Sequence, residues 1–371
     1  MTITELLGEL IAIPSVSGSE QAIADYIEAW LKQSCSFAVH RVQDNVIVHV
    51  PGRNRKRCLI FNGHIDTVAP GDKALWRTDP HKLIEQGGKL FGLGVSDMKG
   101  GDAMLLHMLL LFRDTPPPCD VYVTLVSHEE VTGEGTKAAL RYLEDKLSGY
   151  EDVAAVVAEP TDLKVVLGHR GNVFVQVSFE GRGGHASAPP SPEDQAILKA
   201  QQFASSIPAK AQAWADLSGG SLLGAPTIAI TQLAAGTGSV NQVPTHCDMT
   251  LDIRTNELLH DQVPDLVSAW AQAYGGNATL LSESPVGHCA PEEPIAMVAL
   301  ELAGQPQGDI YASSADQCFF TQKGIPAIIC GPGHHGCIHA PNEFITKELL
   351  EASEQRFLAI LEKWSAITHT T

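Results

Sequence analysis

A chain of 371 residues, 44% of them hydrophobic, can bury a large core, and its length favours two domains over one. Charged residues make up only 18%, an ordinary globular composition that excludes a disordered chain. The formal net charge of −18 repels phosphate backbones and argues against a nucleic-acid partner.

In chain order, the first run, MTITELLGELIAIPSVSG, carries Glu5 and Glu9 and no early Lys or Arg, so it reads as an amphipathic helix and not as a signal peptide. Ser17 and Ser19 are candidate caps for a second helix whose apolar face is Ile23, Tyr26, Ile27, Trp30 and Leu31. Cys58–Asn62, Val121–Ser127, Val153–Ala158 and Ala327–Cys330 are short apolar runs separated by helical patterns, as buried strands of an α/β sheet are. The longest apolar stretch, Met104–Phe112, is interrupted by His107 and is too short to span a membrane. The middle of the chain differs. Asn172–Glu180 and Thr245–Arg254 alternate apolar with polar residues, as half-solvated antiparallel strands do, and helical patterns near Asp194–Ser206 and Gln262–Ala273 accompany them. The expected organisation is a sheet domain over residues 1–170 and 286–371, interrupted by an α+β domain over 171–285. None of the eight cysteines forms a CxxC pair, so buried free thiols in a reducing compartment, the cytoplasm, are expected.

In open α/β sheets, ligands bind at the carboxyl ends of strands. Here CLIFN leads into His64, Ile65 and Asp66, and VYVTLVS into His128, Glu129 and Glu130. VAAVVA leads into Glu159 and Pro160, and AIIC into a glycine-rich turn and then His339. The run GLGVSDMKGG places Asp97 in a glycine-flanked loop. Singly, each has an ordinary explanation: a hydrogen-bonded histidine, a solvated pair, a turn residue. The GLG start approaches a dinucleotide fingerprint, but the third glycine is absent and the preceding KLF is a weak strand. Taken together, histidines and carboxylates on converging loops point to metal. Zinc accepts imidazole nitrogen and carboxylate oxygen, and two ions about 3.5–4 Å apart need a shared carboxylate. An uncoordinated carboxylate beside a ligand, as in Glu129–Glu130, can then take a proton from water. Asp66, close behind His64, is placed to hold the second N–H of the imidazole.

These motifs resemble the co-catalytic zinc amidohydrolases, the family of acetylornithine deacetylase, succinyl-diaminopimelate desuccinylase, glutamate carboxypeptidase and aminoacylase. The resemblance runs from Ile13-Pro14-Ser15 to Pro341-Asn342-Glu343-Phe344. Trp76-Arg77-Thr78-Asp79-Pro80 and the stretch from Gly88 to Gly94 are most similar to acetylornithine deacetylase. It implies a mixed, mostly parallel sheet flanked by helices, of the zinc exopeptidase type, with an inserted lid and dimerisation domain. It implies that His64 and Glu159 bind one metal, that Glu130 and His339 bind the other, and that Asp97 bridges them and is followed by a cis peptide. Glu129 would be the general base, and Asp66, holding the His64 imidazole, is counted with it among the catalytic residues. In the inserted domain, His185 would stabilise the oxyanion of the partner chain in a homodimer. Asn241 and Arg254 would hold a substrate carboxylate. Ser314 would lie at the substrate, in the stretch Ser314-Ala315-Asp316 that stands where the desuccinylase has Thr-Ser-Asp. Ile338 replaces the usual alanine before the last histidine, and Ala158 a common glycine before Glu159. The implied activity is hydrolysis of the amide bond of a small N-acyl amino acid, with two divalent ions: zinc, or else cobalt or manganese. A carboxypeptidase or dipeptidase acting on small peptides could use the same site. A metal-binding protein without catalysis would have no need of Glu129.

Overall fold

The four apolar runs become the strands Asn54–His64, Cys119–Val126, Asp152–Val157 and Ala327–Ile329 of one sheet. In space, Cys119–Val126 lies beside Asn54–His64, followed by Asp152–Val157 and Ala327–Ile329, and each neighbouring pair is parallel. Antiparallel strands extend the sheet, Asn45–Val50 and then Ala38–Val42 at one side and Val166 at the other. The sheet is therefore mixed and mostly parallel. Parallel neighbours need crossover connections, which the helices Lys99–Leu111 and Glu134–Leu147 provide. Phe61 packs against Phe357 of the helix Lys347–Ser365, while Asn62 donates to Thr136 of Glu134–Leu147. Successive strand residues point to opposite faces, so these helices cover opposite faces. Burial from both sides explains why all of Cys119–Val126 is inaccessible and why the strands read as unbroken apolar runs.

In this computed structural model, residues 1–311 and 313–367 are described. The chain divides into two units, one of Met1–Gly168, His288–Ile310 and Ala315–Thr371, the other of His169–Gly287 with Tyr311–Ser314. The second has its own sheet, in the order Thr227–Ala235, His246–Thr255, Gly171–Glu180 and Gly276–Ser284, all antiparallel. Val173, Val175, Val177 and Phe179 alternate inward and meet Phe203, Trp214 and Trp270 of the helices Ala196–Leu217 and Val263–Ala273. Among the described residues, no helix is long and apolar enough to cross a membrane.

The first helix, Ile3–Ile11, begins with a capping box between Thr2 and Glu5. The second, Gln21–Ser34, begins after Glu20 with no side-chain cap, so Ser17 and Ser19 do not cap it. The Ser17 hydroxyl instead donates to Asp66 Oδ2 at 2.7 Å, because an ionised carboxylate is a stronger partner than a helix end.

Candidate active site

His64 ends its strand, and Glu129, Glu130 and Glu159 follow closely after the ends of theirs. The Nδ1 of His64 lies 3.0 Å from the carbonyl oxygen of Asp66. A carbonyl can only accept, so Nδ1 carries the proton there. The other ring nitrogen, Nε2, faces Asp97 Oδ1 at 3.1 Å and Glu159 Oε1 at 3.5 Å. His339 Nε2 faces Asp97 Oδ2 at 3.2 Å and Glu130 Oε2 at 2.9 Å. Each oxygen of Asp97 thus addresses a different histidine. Potential ligand atoms of His64, Asp97 and Glu130 lie within 4.8 Å of one another, as do those of His64, Glu129 and Glu159. The structure therefore gathers His64, Asp97, Glu129, Glu130, Glu159 and His339 in one place.

Asp66 stands beside this cluster but differs from the expectation. Its carboxylate is 3.6 Å from His64 Nδ1, too far for a hydrogen bond, and its backbone carbonyl holds the ring instead. The carboxylate accepts from the backbone N–H groups of Glu129 at 3.1 Å and Glu130 at 3.2 Å. The reason is geometric: the turn after Cys119–Val126 presents converging N–H groups to it, whereas the ring is already engaged. Asp97 has a different support. Glu343, not anticipated as a site residue, accepts from the N–H groups of Gly94, Ser96 and Asp97. The peptide after Asp97 is cis. Gly94 adopts φ +76°, where a side chain would be strained, and lets the loop turn. A Cβ on Gly101 would stand 2.7 Å from the carbonyl oxygen of Ala158, so only glycine allows the helix Lys99–Leu111 this close to Glu159.

The electrostatics follow from crowding carboxylates out of water. Burial, reinforced by the charges of Glu159, Asp316 and Glu130, raises Glu129 well above the usual carboxylate range. Burial and the charge of Asp97 do the same to Glu159. Burial alone would lower His64, but Glu159, Asp66 and Asp97 together raise it well above its ordinary value. His339, hydrogen-bonded to Asp97 and Glu130, is raised to about 10. Asp97 is lowered: burial opposes its charge, but the bonds from His339 and His64 outweigh it. Protons on the imidazoles thus compensate the carboxylates, and a cation would do so as well. Glu130 Oε1 is buried with no hydrogen-bond partner, an acceptor that a cation would satisfy. Imidazole nitrogens and carboxylate oxygens at these positions form a donor set that suits a divalent metal.

The remaining candidates belong to the second unit. His185 lies on the short strand Gly184–His185, paired with Gln242–Val243. The backbone N–H of Ser187 donates to His185 Nδ1 at 3.2 Å, so in the neutral ring the proton sits on Nε2. Ala186 N–H donates to the Asn241 carbonyl at 2.9 Å, which sets Asn241 beside His185, and both are exposed. Arg254 forks onto Asp252 of its own strand, with Nε to Oδ1 at 2.9 Å and Nη2 to Oδ2 at 3.0 Å. An internal carboxylate therefore occupies the guanidinium. Ser314 is half-buried in the same unit. Sequence reasoning missed Asp252 and Glu343. The alternation that places Asp252 on the same face as Arg254 was available, whereas nothing local distinguished Glu343 from a turn residue.

Comparison with known proteins places the chain in a family. Residues 60–363 match the model of the family described as Peptidase family M20/M25/M40. The chain belongs to this family. Membership makes it a metallohydrolase acting on amides. Among curated proteins, this M20-family chain is 27% identical over 363 residues to acetylornithine deacetylase of Photorhabdus laumondii subsp. laumondii, covering 92% of this chain and 91% of that one. Among solved structures, it superimposes on an M20 family metallo-carboxypeptidase from Sulfolobus solfataricus with a TM-score of 0.77 at 17% identity, covering 99% of this chain and 100% of that one. It also superimposes on a dinuclear metal-binding peptidase of the M20 family from Bacillus subtilis, with a TM-score of 0.70 at 17% identity and coverage of 97% and 96%. At such identities the likeness to the solved structures is one of fold.

Proposed function

We propose that this M20-family chain is a two-metal deacylase that hydrolyses the amide bond of a small N-acylated amino acid. The observation that carries this is Asp97, whose Oδ1 faces His64 at 3.1 Å while its Oδ2 faces His339 at 3.2 Å, as a bridging carboxylate would. In this reading His64 and Glu159 hold one divalent ion, Glu130 and His339 the other, and Asp97 both. The nitrogen and oxygen donors suit zinc and would also accept cobalt or manganese. The dinuclear peptidase of like fold and the acetylornithine deacetylase relative support metal number and substrate class respectively.

When bound, the ions supply an acidified water and a Lewis acid for the scissile carbonyl. Glu129, half-buried and proton-avid, takes a proton from the attacking water and passes it to the leaving amine. Asp66 keeps the Glu129–Glu130 turn in place through its two backbone N–H bonds. His185, with its proton on Nε2, donates to the oxyanion, a contact of the kind worth about 2.7–4 kcal/mol of barrier lowering. Arg254 turns its fork from Asp252 to a substrate carboxylate, and Asn241 and Ser314 hold the rest of the substrate. Residues 1–170 and 286–371 carry the catalytic site, and 171–285 serve as lid and dimerisation domain of a homodimer. A cytoplasmic location accords with eight cysteines that are all free.

The test is a reconstitution. Metal-free protein, reloaded with zinc, is assayed on N-acetyl and N-succinyl amino acids and on dipeptides. We expect turnover of an N-acyl amino acid that chelation abolishes and metal restores. Turnover of dipeptides alone would replace the deacylase by a dipeptidase. Full activity after exhaustive chelation would overturn both.

A further inference from the structure

Glu343 lies four positions beyond His339 and is only 1% exposed. Its carboxylate accepts from the N–H groups of Gly94 at 2.9 Å, Ser96 at 2.7 Å and Asp97 at 2.9 Å. All of these donors belong to the loop that carries Asp97. The chain around Glu343 is tied to the same region. Gly92 N–H donates to the Glu343 carbonyl at 3.3 Å, and Phe344–Thr346 pairs antiparallel with Lys89–Phe91. The preceding residue, Asn342, takes the N–H of Arg77 at 2.7 Å and donates to the Leu75 carbonyl at 3.0 Å. The segment bearing His339 and the loop bearing Asp97 are thus joined through this buried carboxylate, beside the backbone pairing and the bonds between Ser96 and His334.

Resting on the two-metal reading above, we propose that Glu343 is a positioning residue that fixes Asp97 relative to His339 and so sets the affinity of the metal position built from Asp97, Glu130 and His339. A carboxylate presents two accepting oxygens and no donor, the arrangement that converging N–H groups require. Glutamine keeps the shape but has one accepting oxygen, and its NH₂ would meet a remaining donor head on. Aspartate keeps the charge but is a methylene too short. Either leaves at least one buried N–H unpaired unless the loop moves, and Asp97 moves with it.

Cobalt(II) titration of the metal-free full chain, followed by visible absorption and calorimetry, tests the proposal in wild type, E343Q and E343D. N342A serves as a control that loosens the same segment without touching the Asp97 loop. We expect two cobalt ions in wild type and N342A. In the glutamate variants, one of the two should bind at least about tenfold more weakly, with altered ligand-field bands, in protein still folded by its thermal melt. If E343Q does not fold, E343D decides. Wild-type affinity and bands at both positions in the folded variants would overturn the role of Glu343 alone. A wild type that takes up no cobalt would instead overturn the metal reading itself.

Discussion

Glu129 and Glu130 are adjacent in sequence, yet their side chains serve different groups. Glu130 Oε2 meets His339 at 2.9 Å, whereas Glu129 joins His64 and Glu159. The turn after the strand aims neighbouring residues in different directions, which allows one ligand and one free base. Glu129→Gln should therefore keep its metal and lose activity by on the order of 10²–10⁴-fold, the usual contribution of a general base. Glu130→Gln should lose metal, because an amide oxygen is a poorer ligand than a carboxylate. Metal content and turnover, measured on the same preparations, separate the two. A Glu129→Gln protein with near-normal turnover would remove it as the base. That a carboxylate pair sits here was legible in the residues themselves; that Glu130 is the one facing His339 followed only from the family resemblance, because the aim of a side chain depends on turn geometry.

At the level of elements, the site depends on how loops are held at strand ends. Asp66 takes the backbone N–H groups of the Glu129–Glu130 turn and the hydroxyl of Ser17, so it ties together three separate segments. Asp66→Ala would leave these donors without a partner, at a cost of about 1–3 kcal/mol for a buried unsatisfied group. We expect a lower urea midpoint for metal-free Asp66→Ala, with Asp66→Asn intermediate because it keeps one accepting oxygen. Unchanged midpoints in both would show that the turn holds itself. Burial of Asp66 is opposed by the charge of nearby His64 and by its bonds to Ser17 and Glu129, and its pKa ends below the ordinary value. Its stabilising contribution is therefore present above the unfolded carboxylate pKa and is lost as pH falls through the lower folded one.

At the level of the whole molecule, the six clustered residues belong to the first unit and His185 to the second. If the proposed homodimer carries His185 into its partner's site, two inactive variants should rescue each other. Glu129→Ala destroys the site of its own chain but still offers His185, and His185→Ala does the reverse. Co-refolding equal amounts should restore about a quarter of wild-type activity in a symmetric dimer, since half the dimers are mixed and each has one working site. Proven heterodimers without recovery would show that His185 acts within its own chain or only structurally.

The sequence by itself determined the parallel strands, because full burial on both faces writes a local, unbroken apolar run such as VYVTLVS. It also determined the antiparallel sheet of the second unit, through the alternation in NVFVQVSFE, and the identity of the clustered histidines and carboxylates, of which His64, Glu129, Glu130 and Glu159 stand where strands stop. Helix ends were less legible. The pattern near Asp194–Ser206 belongs to a helix that runs through Pro208 to Leu217, past a residue that usually ends one. Only the tertiary structure decided which groups support the site. Glu343 meets Ser96 across 247 positions of sequence, and Asp66 meets Glu129 across 63. Arg254 finds its carboxylate two positions away, but only because strand alternation leaves both side chains on one half-exposed face. Hydrogen bonds to backbone N–H groups require no particular residue on the donor side, so they leave no mark in the sequence of the loops they hold.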